Sequence, residues 1–137
     1  MKVRPFGEVP ANRYLRFRLV EDSDVAAVVT MEAVAELEQE TGVIHGGAIT
    51  ALADTAAVYC FMPRLAQGES MVGVELKINF LSPALPGGGD VVARASVLRR
   101  GRRLGVCEVD VMQGGSRVAR GLFTYLFSQA ASSQGNA

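Results

Sequence analysis

The sequence predicts an α+β domain in which one face of an antiparallel β-sheet covers a single long helix. Three observations carry that expectation. The run at 48–61 is apolar on nearly every side and free of Pro and interior Gly, so it reads as a helix of about four turns surrounded by protein. Stretches before and after it alternate apolar and polar residues with the period of two that half-buried strands require. Four of those stretches follow the helix through short connections, which favours antiparallel pairing.

In chain order, residues 1–11 form an N-terminal segment and 12–127 a single domain. Leu15, Phe17 and Leu19 interleave with Arg16 and Arg18 as a first strand, and 24–31 reads as a second. Pro63 ends the helix. Val72, Val74, Leu76, Ile78 and Phe80 then interleave with Gly73, Glu75, Lys77 and Asn79, predicting a half-buried strand with the five apolar residues on one face. Strands at 91–99, 104–112 and 117–127 follow, after turn signals at Pro86-Gly87-Gly88-Gly89, Arg100-Gly101 and Gly114-Gly115. The tail 128–137 is small and polar, a composition that predicts disorder.

A chain of 137 residues, 49% hydrophobic, has the length and the material for one core. Its 14 basic and 14 acidic residues cancel, so partnership with nucleic acid or anionic membrane is not expected. Cys60 and Cys107 stand far apart, and the single His has no companions at metal-ligand spacing, so reduced thiols and no metal are expected. The N-terminus lacks the apolar run of a signal peptide, which points to a cytoplasmic protein. A membrane span at 41–63 would carry Asp54 centrally at a cost of about 2.5–3.5 kcal/mol, so a buried core helix accounts for the run better. No phosphate-cradling glycine motif supports ATP or dinucleotide binding.

Asp54 is the one acid on that helix. An unpaired buried carboxylate costs several kcal/mol by rough estimate, so such a residue is either hydrogen-bonded or kept for chemistry. Gly46 and Gly47, directly after His45, lie at the helix entry, where backbone N–H groups lack intrahelical acceptors. With the helix dipole behind them, these groups can bind a carbonyl oxygen that turns negative under attack. At about 1.5 Å per residue, the eight residues from Gly46 to Asp54 span roughly 12 Å, too far for both to reach one carbonyl. Two such helices antiparallel across a two-fold axis solve the problem, which predicts a dimer with two composite sites.

The segment His45-Gly46-Gly47-Ala48-Ile49-Thr50-Ala51-Leu52-Ala53-Asp54 resembles the signature of the hotdog-fold thioesterases, in particular the group related to the phenylacetate-pathway thioesterase PaaI. There, His-Gly-Gly is followed by an acid nine positions after the His. The likeness extends through Val74-Glu75-Leu76-Lys77-Ile78-Asn79-Phe80-Leu81-Ser82-Pro83-Ala84 to the turns at Gly87 to Asp90 and Arg99-Arg100-Gly101-Arg102, covering residues 12–127. It implies a hotdog fold, with the sheet wrapped around the helix, in a homodimer or homotetramer. It also implies hydrolysis of acyl-CoA to a carboxylic acid and free CoA with no metal or organic cofactor.

The resemblance assigns roles residue by residue. Asp54 is the nucleophile on the thioester carbonyl or the general base on water, and the Gly46 N–H is the oxyanion donor. Gln39, six residues before His45, stands where relatives carry an amide that helps hold the carbonyl or the water. His45 either orients the Gly46 loop or is purely structural. Some relatives place Ser or Thr on the strand after the helix; here the aligned residue is Gly73, which supplies no hydroxyl. Thr50 and Thr55 are nearby substitutes unless they bond their own i−4 carbonyls. Arg64, Arg99, Arg100 and Arg102 are candidate partners for the CoA phosphates, against the alternative of solvated turn charges. Gly47, Thr55 and Gly73 complete the expected substrate-binding set.

Two other classes share these features. An acyl-CoA-binding protein could use the same scaffold without turnover, and an interaction domain would bind no acyl-CoA at all. A hotdog dehydratase would need an Asp/His pair, whereas the only His stands at the helix entry. Asp54 beside His-Gly-Gly favours hydrolysis; the acyl group, and whether CoA or acyl carrier protein bears it, stay open.

Overall fold

The structure is a computed structural model that describes residues 2–129. A short helix α1 (Pro10–Tyr14) precedes β1 (Phe17–Asp22) and β2 (Ala27–Met31). The long helix α2 (Gly46–Tyr59) follows, then β3 (Glu69–Phe80), β4 (Val91–Arg100), β5 (Leu104–Gln113) and β6 (Ser116–Gln129). All neighbouring strands pair antiparallel, in the order β1-β2-β4-β5-β6-β3. The chain therefore crosses from β2 along α2 to the far edge, and β4 to β6 fill the space between.

One side of α2 packs on β2, β4, β5 and β6. Leu52, Ala53, Ala56 and Ala57 meet Val29, Met31, Val91, Val109 and Phe123 in a core from which water is excluded. Three alanines on that side let the helix backbone approach the sheet closely. Each fully buried Val, Leu or Phe contributes about 1.5–3 kcal/mol.

Local chemistry shifts several boundaries. The helix begins at Gly46, two residues before the expected 48, because the His45 side chain caps it. It ends at Tyr59, and Pro63 sits in a separate 3-10 turn at Met62–Arg64. Leu15 belongs to no strand: it closes α1, and Arg16 turns the chain at φ +57 before β1 begins. The Ser23 hydroxyl accepts the Val25 and Ala26 N–H groups at 3.2 and 3.3 Å, so 24–26 is a turn and β2 starts at Ala27.

The largest departure is in β3. A bulge interrupts its pairing with β6 between Gly73 and Glu75, so Gly73 pairs with Tyr125, Leu76 with Phe123 and Phe80 with Ala119. Those three partners are buried, and cross-strand partners share a face, so Gly73, Leu76, Ile78 and Phe80 point inward while Val72 points outward. The single apolar face expected for Val72 through Phe80 is thus split by the extra residue. Nor is it covered in the protomer: Val72, Val74, Leu76 and Phe80 are 44–57% exposed on an edge strand. β6 runs on to Gln129, paired with Glu69, and the rest of the expected tail, 130–137, lies outside the described residues.

Candidate active site

The helix entry is built by His45. Its backbone N–H donates to Leu37 O at 2.7 Å, and the preceding Ile44 N–H donates to Ala84 O at 2.9 Å, which pins the approach to α2. The ring Nδ1 accepts the Gly47 N–H at 2.8 Å, an arrangement that places the neutral ring's proton on Nε2. The Gly47 donor is therefore spent. The Gly46 N–H, at the first helical position, meets no acceptor among the described residues. Gly46 lines a cavity of about 390 Å³ with Gln39, Ile49, Phe80 and Ser82. The Gln39 carbonyl accepts both the Thr41 N–H and, at 2.8 Å, the Thr41 hydroxyl, which leaves its NH₂ as the group free to address a ligand.

Asp54 lies two turns further along the stripe Gly46, Thr50, Asp54, Val58, all of whose members are half-buried. The expectation of a helix enclosed on every side, with Asp54 in the interior, is corrected here: in the protomer the sheet covers one side only. The open side carries mostly small residues, Gly46, Gly47, Thr50, Ala51 and Thr55 among them. Both threonines are committed to the backbone, donating to Gly46 O at 2.8 Å and Ala51 O at 2.7 Å rather than to Asp54.

Asp54 Oδ1 instead accepts the Tyr125 hydroxyl at 2.6 Å. Tyr125 is a buried residue of β6, and its hydroxyl is pushed above the usual tyrosine range by burial, then by the hydrogen bond to and charge of Asp54. It is therefore a protonated donor at any physiological pH. Asp54 lines two cavities. One, of about 330 Å³, lies at the β3 bulge among Gly73, Val74, Glu75, Leu76, Thr124 and Tyr125. The other, of about 410 Å³, lies between the α2 residues Thr55, Val58 and Tyr59 and the N-terminal Lys2, Val3 and Arg4. Neither contains Gly46, so one chain keeps its carboxylate and its open N–H in separate cavities.

Tyr125 is the residue that sequence reasoning missed. Its signal is positional: it stands opposite Gly73, a pairing that appears only once the register of β3 on β6 is known.

The arginines divide. Arg64 pairs with Asp22 at 2.9 Å and Asp24 at 3.0 Å and donates to Tyr59 O, which ties the end of α2 to β1 and its turn. Arg100 pairs with the buried Glu69 at 2.7 Å and lies 3.5 Å over the Phe127 ring. Both guanidiniums thus already have carboxylate partners in the free chain. Arg99 and Arg102 are exposed at the β4–β5 turn and form no ion pair among the described residues. No described helix is long and apolar enough to cross a membrane.

A family model described as the thioesterase superfamily matches residues 41–120, the stretch that holds the helix entry, Asp54 and the β3 bulge. An Escherichia coli protein named acyl-coenzyme A thioesterase PaaI is 34% identical over 86 residues, 63% of this chain and 59% of that protein. The chain thus spans less than two thirds of the length of that relative. A Homo sapiens protein named acyl-coenzyme A thioesterase 13 is 30% identical over 114 residues, 80% of this chain and 78% of that protein. In three dimensions, the crystal structure of a Haemophilus influenzae thioesterase superposes with a TM-score of 0.84 at 23% identity, covering 96% of each chain. That likeness shows the same hotdog architecture of one helix wrapped by an antiparallel sheet. The chain belongs to the thioesterase superfamily.

Proposed function

We propose that this chain hydrolyses acyl-CoA thioesters to a carboxylic acid and free CoA, using Asp54 of one protomer and the Gly46 N–H of another. The observation that carries this reading is the placement of both groups on one open stripe of α2, in separate cavities of the same chain. A helix face of small residues, next to an uncovered apolar edge strand, is suited to a second copy of itself. An antiparallel copy would set the entry of one helix beside the middle of the other.

In such a site the Gly46 N–H donates to the thioester carbonyl oxygen and stabilises the negative charge that develops there. Asp54 either takes a proton from the attacking water or attacks the carbonyl carbon itself, giving a mixed anhydride that water then cleaves. In both courses the C–S bond breaks, the thiolate of CoA leaves, and a proton returns to it. The Gln39 NH₂, in the same cavity as the Gly46 N–H, donates to the same carbonyl, and Arg99 and Arg102, exposed and in no ion pair among the described residues, take the CoA phosphates. No metal or organic cofactor is needed for these steps.

The test is release of free thiol from a panel of acyl-CoAs by the wild-type chain and by Asp54→Asn. Turnover that Asp54→Asn lowers by orders of magnitude supports the reading. Tight binding of acyl-CoA by the wild type without any turnover would replace it with a sensor.

A further inference from the structure

We propose that Tyr125 is the positioning residue of the site, its hydroxyl fixing which oxygen of Asp54 is presented to the reaction. The proposal rests on the reading of Asp54 as the reacting carboxylate, and it adds a residue from a strand outside the helix and its entry. Three features of the fold converge on it. The first is the bond itself, 2.6 Å from the Tyr125 hydroxyl to Asp54 Oδ1. The same hydroxyl lies 3.4 Å from the Asp54 backbone carbonyl, so it addresses the residue at two points. The other carboxylate oxygen has no hydrogen-bond partner among the described residues, although Asp54 borders two cavities. One oxygen is held and one is offered.

The second feature is Gly73. A Cβ built there would stand 3.4 Å from Tyr125 Cε1, in ordinary contact, so any longer side chain on that face would press on the ring or fill the space before Asp54. A glycine at the bulge thus keeps the way from the cavity to Asp54 open and leaves the tyrosine ring in place. The third is the ring's own support: Phe61, just beyond α2, packs 5.7 Å from Tyr125, centroid to centroid, and Phe127 packs 5.3 Å from Phe61. A buried aromatic stack sets the ring, the ring sets the hydroxyl, and the hydroxyl sets the carboxylate. A carboxylate free to rotate about χ2 would present a productive oxygen only part of the time, and small misplacements of a reacting group are costly. Tyr125 remains a proton donor throughout, so it orients Asp54 without competing for the proton that the reaction moves.

The test compares Tyr125→Phe, Asp54→Asn and Phe61→Leu with the wild type, by steady-state thiol release from an acyl-CoA and by thermal melting. Tyr125→Phe is expected to lower kcat by about ten- to a hundredfold with KM little changed, while the melting temperature moves by no more than in Phe61→Leu. Phe61→Leu, which loosens the ring's support but keeps the hydroxyl, is expected to melt earlier and to lose kcat by less than Tyr125→Phe does. A folded Tyr125→Phe with wild-type kcat overturns the positioning role while leaving Asp54 untouched. Wild-type activity in Asp54→Asn would instead overturn the reading beneath it. If Tyr125→Phe does not fold, the wild-type chain decides by NMR. An exchange-protected hydroxyl proton on the Tyr125 ring that is lost in Asp54→Ala supports the bond, and a freely exchanging hydroxyl in the wild type overturns it.

Discussion

The ring of Phe80 stands 3.2 Å from the point where a Cβ on Gly46 would lie, beside a helix-entry N–H that has no acceptor among the described residues. The end of β3 and the start of α2 therefore enclose the group proposed to hold the oxyanion. Gly46 is the first residue of the helix, a position that tolerates proline, and the preceding His45 has φ −59 and ψ 131, conformations that a following proline accepts. Gly46→Pro should thus remove the donor while keeping the helix, with Phe80, an exposed ring tip, giving way. The expected outcome is a loss of about 10²–10³ in kcat with circular dichroism unchanged. Steady-state kinetics on the folded variant checks it.

Leu76 faces inward on the edge strand yet is 44% exposed in the protomer. If a second copy covers that surface, Leu76→Glu places a charge in the contact and shifts the chain toward monomer. Sedimentation velocity should show the shift, and turnover should fall with it, since the proposed site draws on two chains.

The acid limb of stability should trace to Glu69. The Arg100 guanidinium, then the Ala66 N–H, hold its carboxyl below the ordinary glutamate range. A depressed folded value means stability that is present above the unfolded value of about 4.3 and is lost as pH falls through the folded one. Glu69→Gln should melt earlier at neutral pH, and its melting temperature should fall less steeply than the wild type's below about pH 4.3. Melting curves across that range decide it.

Gly105 tests the aromatic stack from the other side. A Cβ there would fall 2.7 Å from Phe127 and 2.9 Å from Phe61, so Gly105→Ala must displace buried rings. We expect about 1–3 kcal/mol of destabilisation in urea unfolding.

Much of the fold was legible because it rests on periodicity and turn chemistry. The helix and the strands after it follow from residues near one another, and so do turns in which Gly87 and Gly89 adopt φ of +73 and +96. The short α1 was not foreseen, since five residues carry too little pattern. That His45 and Gly46 open the helix that carries Asp54 two turns on was legible from their spacing. Tyr125 was not, because its meeting with Asp54 spans 71 residues and depends on a register set by the β3 bulge. Arg64 and Arg100 looked free in sequence because their acidic partners, Asp22, Asp24 and Glu69, lie 31 to 42 residues away. Sequence alone does not show which charges meet.

Subunit mixing distinguishes a site shared between two chains from one held within a single chain. Asp54→Asn and Gly46→Pro should each be inactive alone. After joint unfolding and refolding, half of the dimers would pair one variant with the other, and each of these would hold one intact site. The mixture should recover about a quarter of wild-type turnover. If the mixture stays as inactive as its two parents although mixed dimers form, the carboxylate and the N–H do not meet across the subunits.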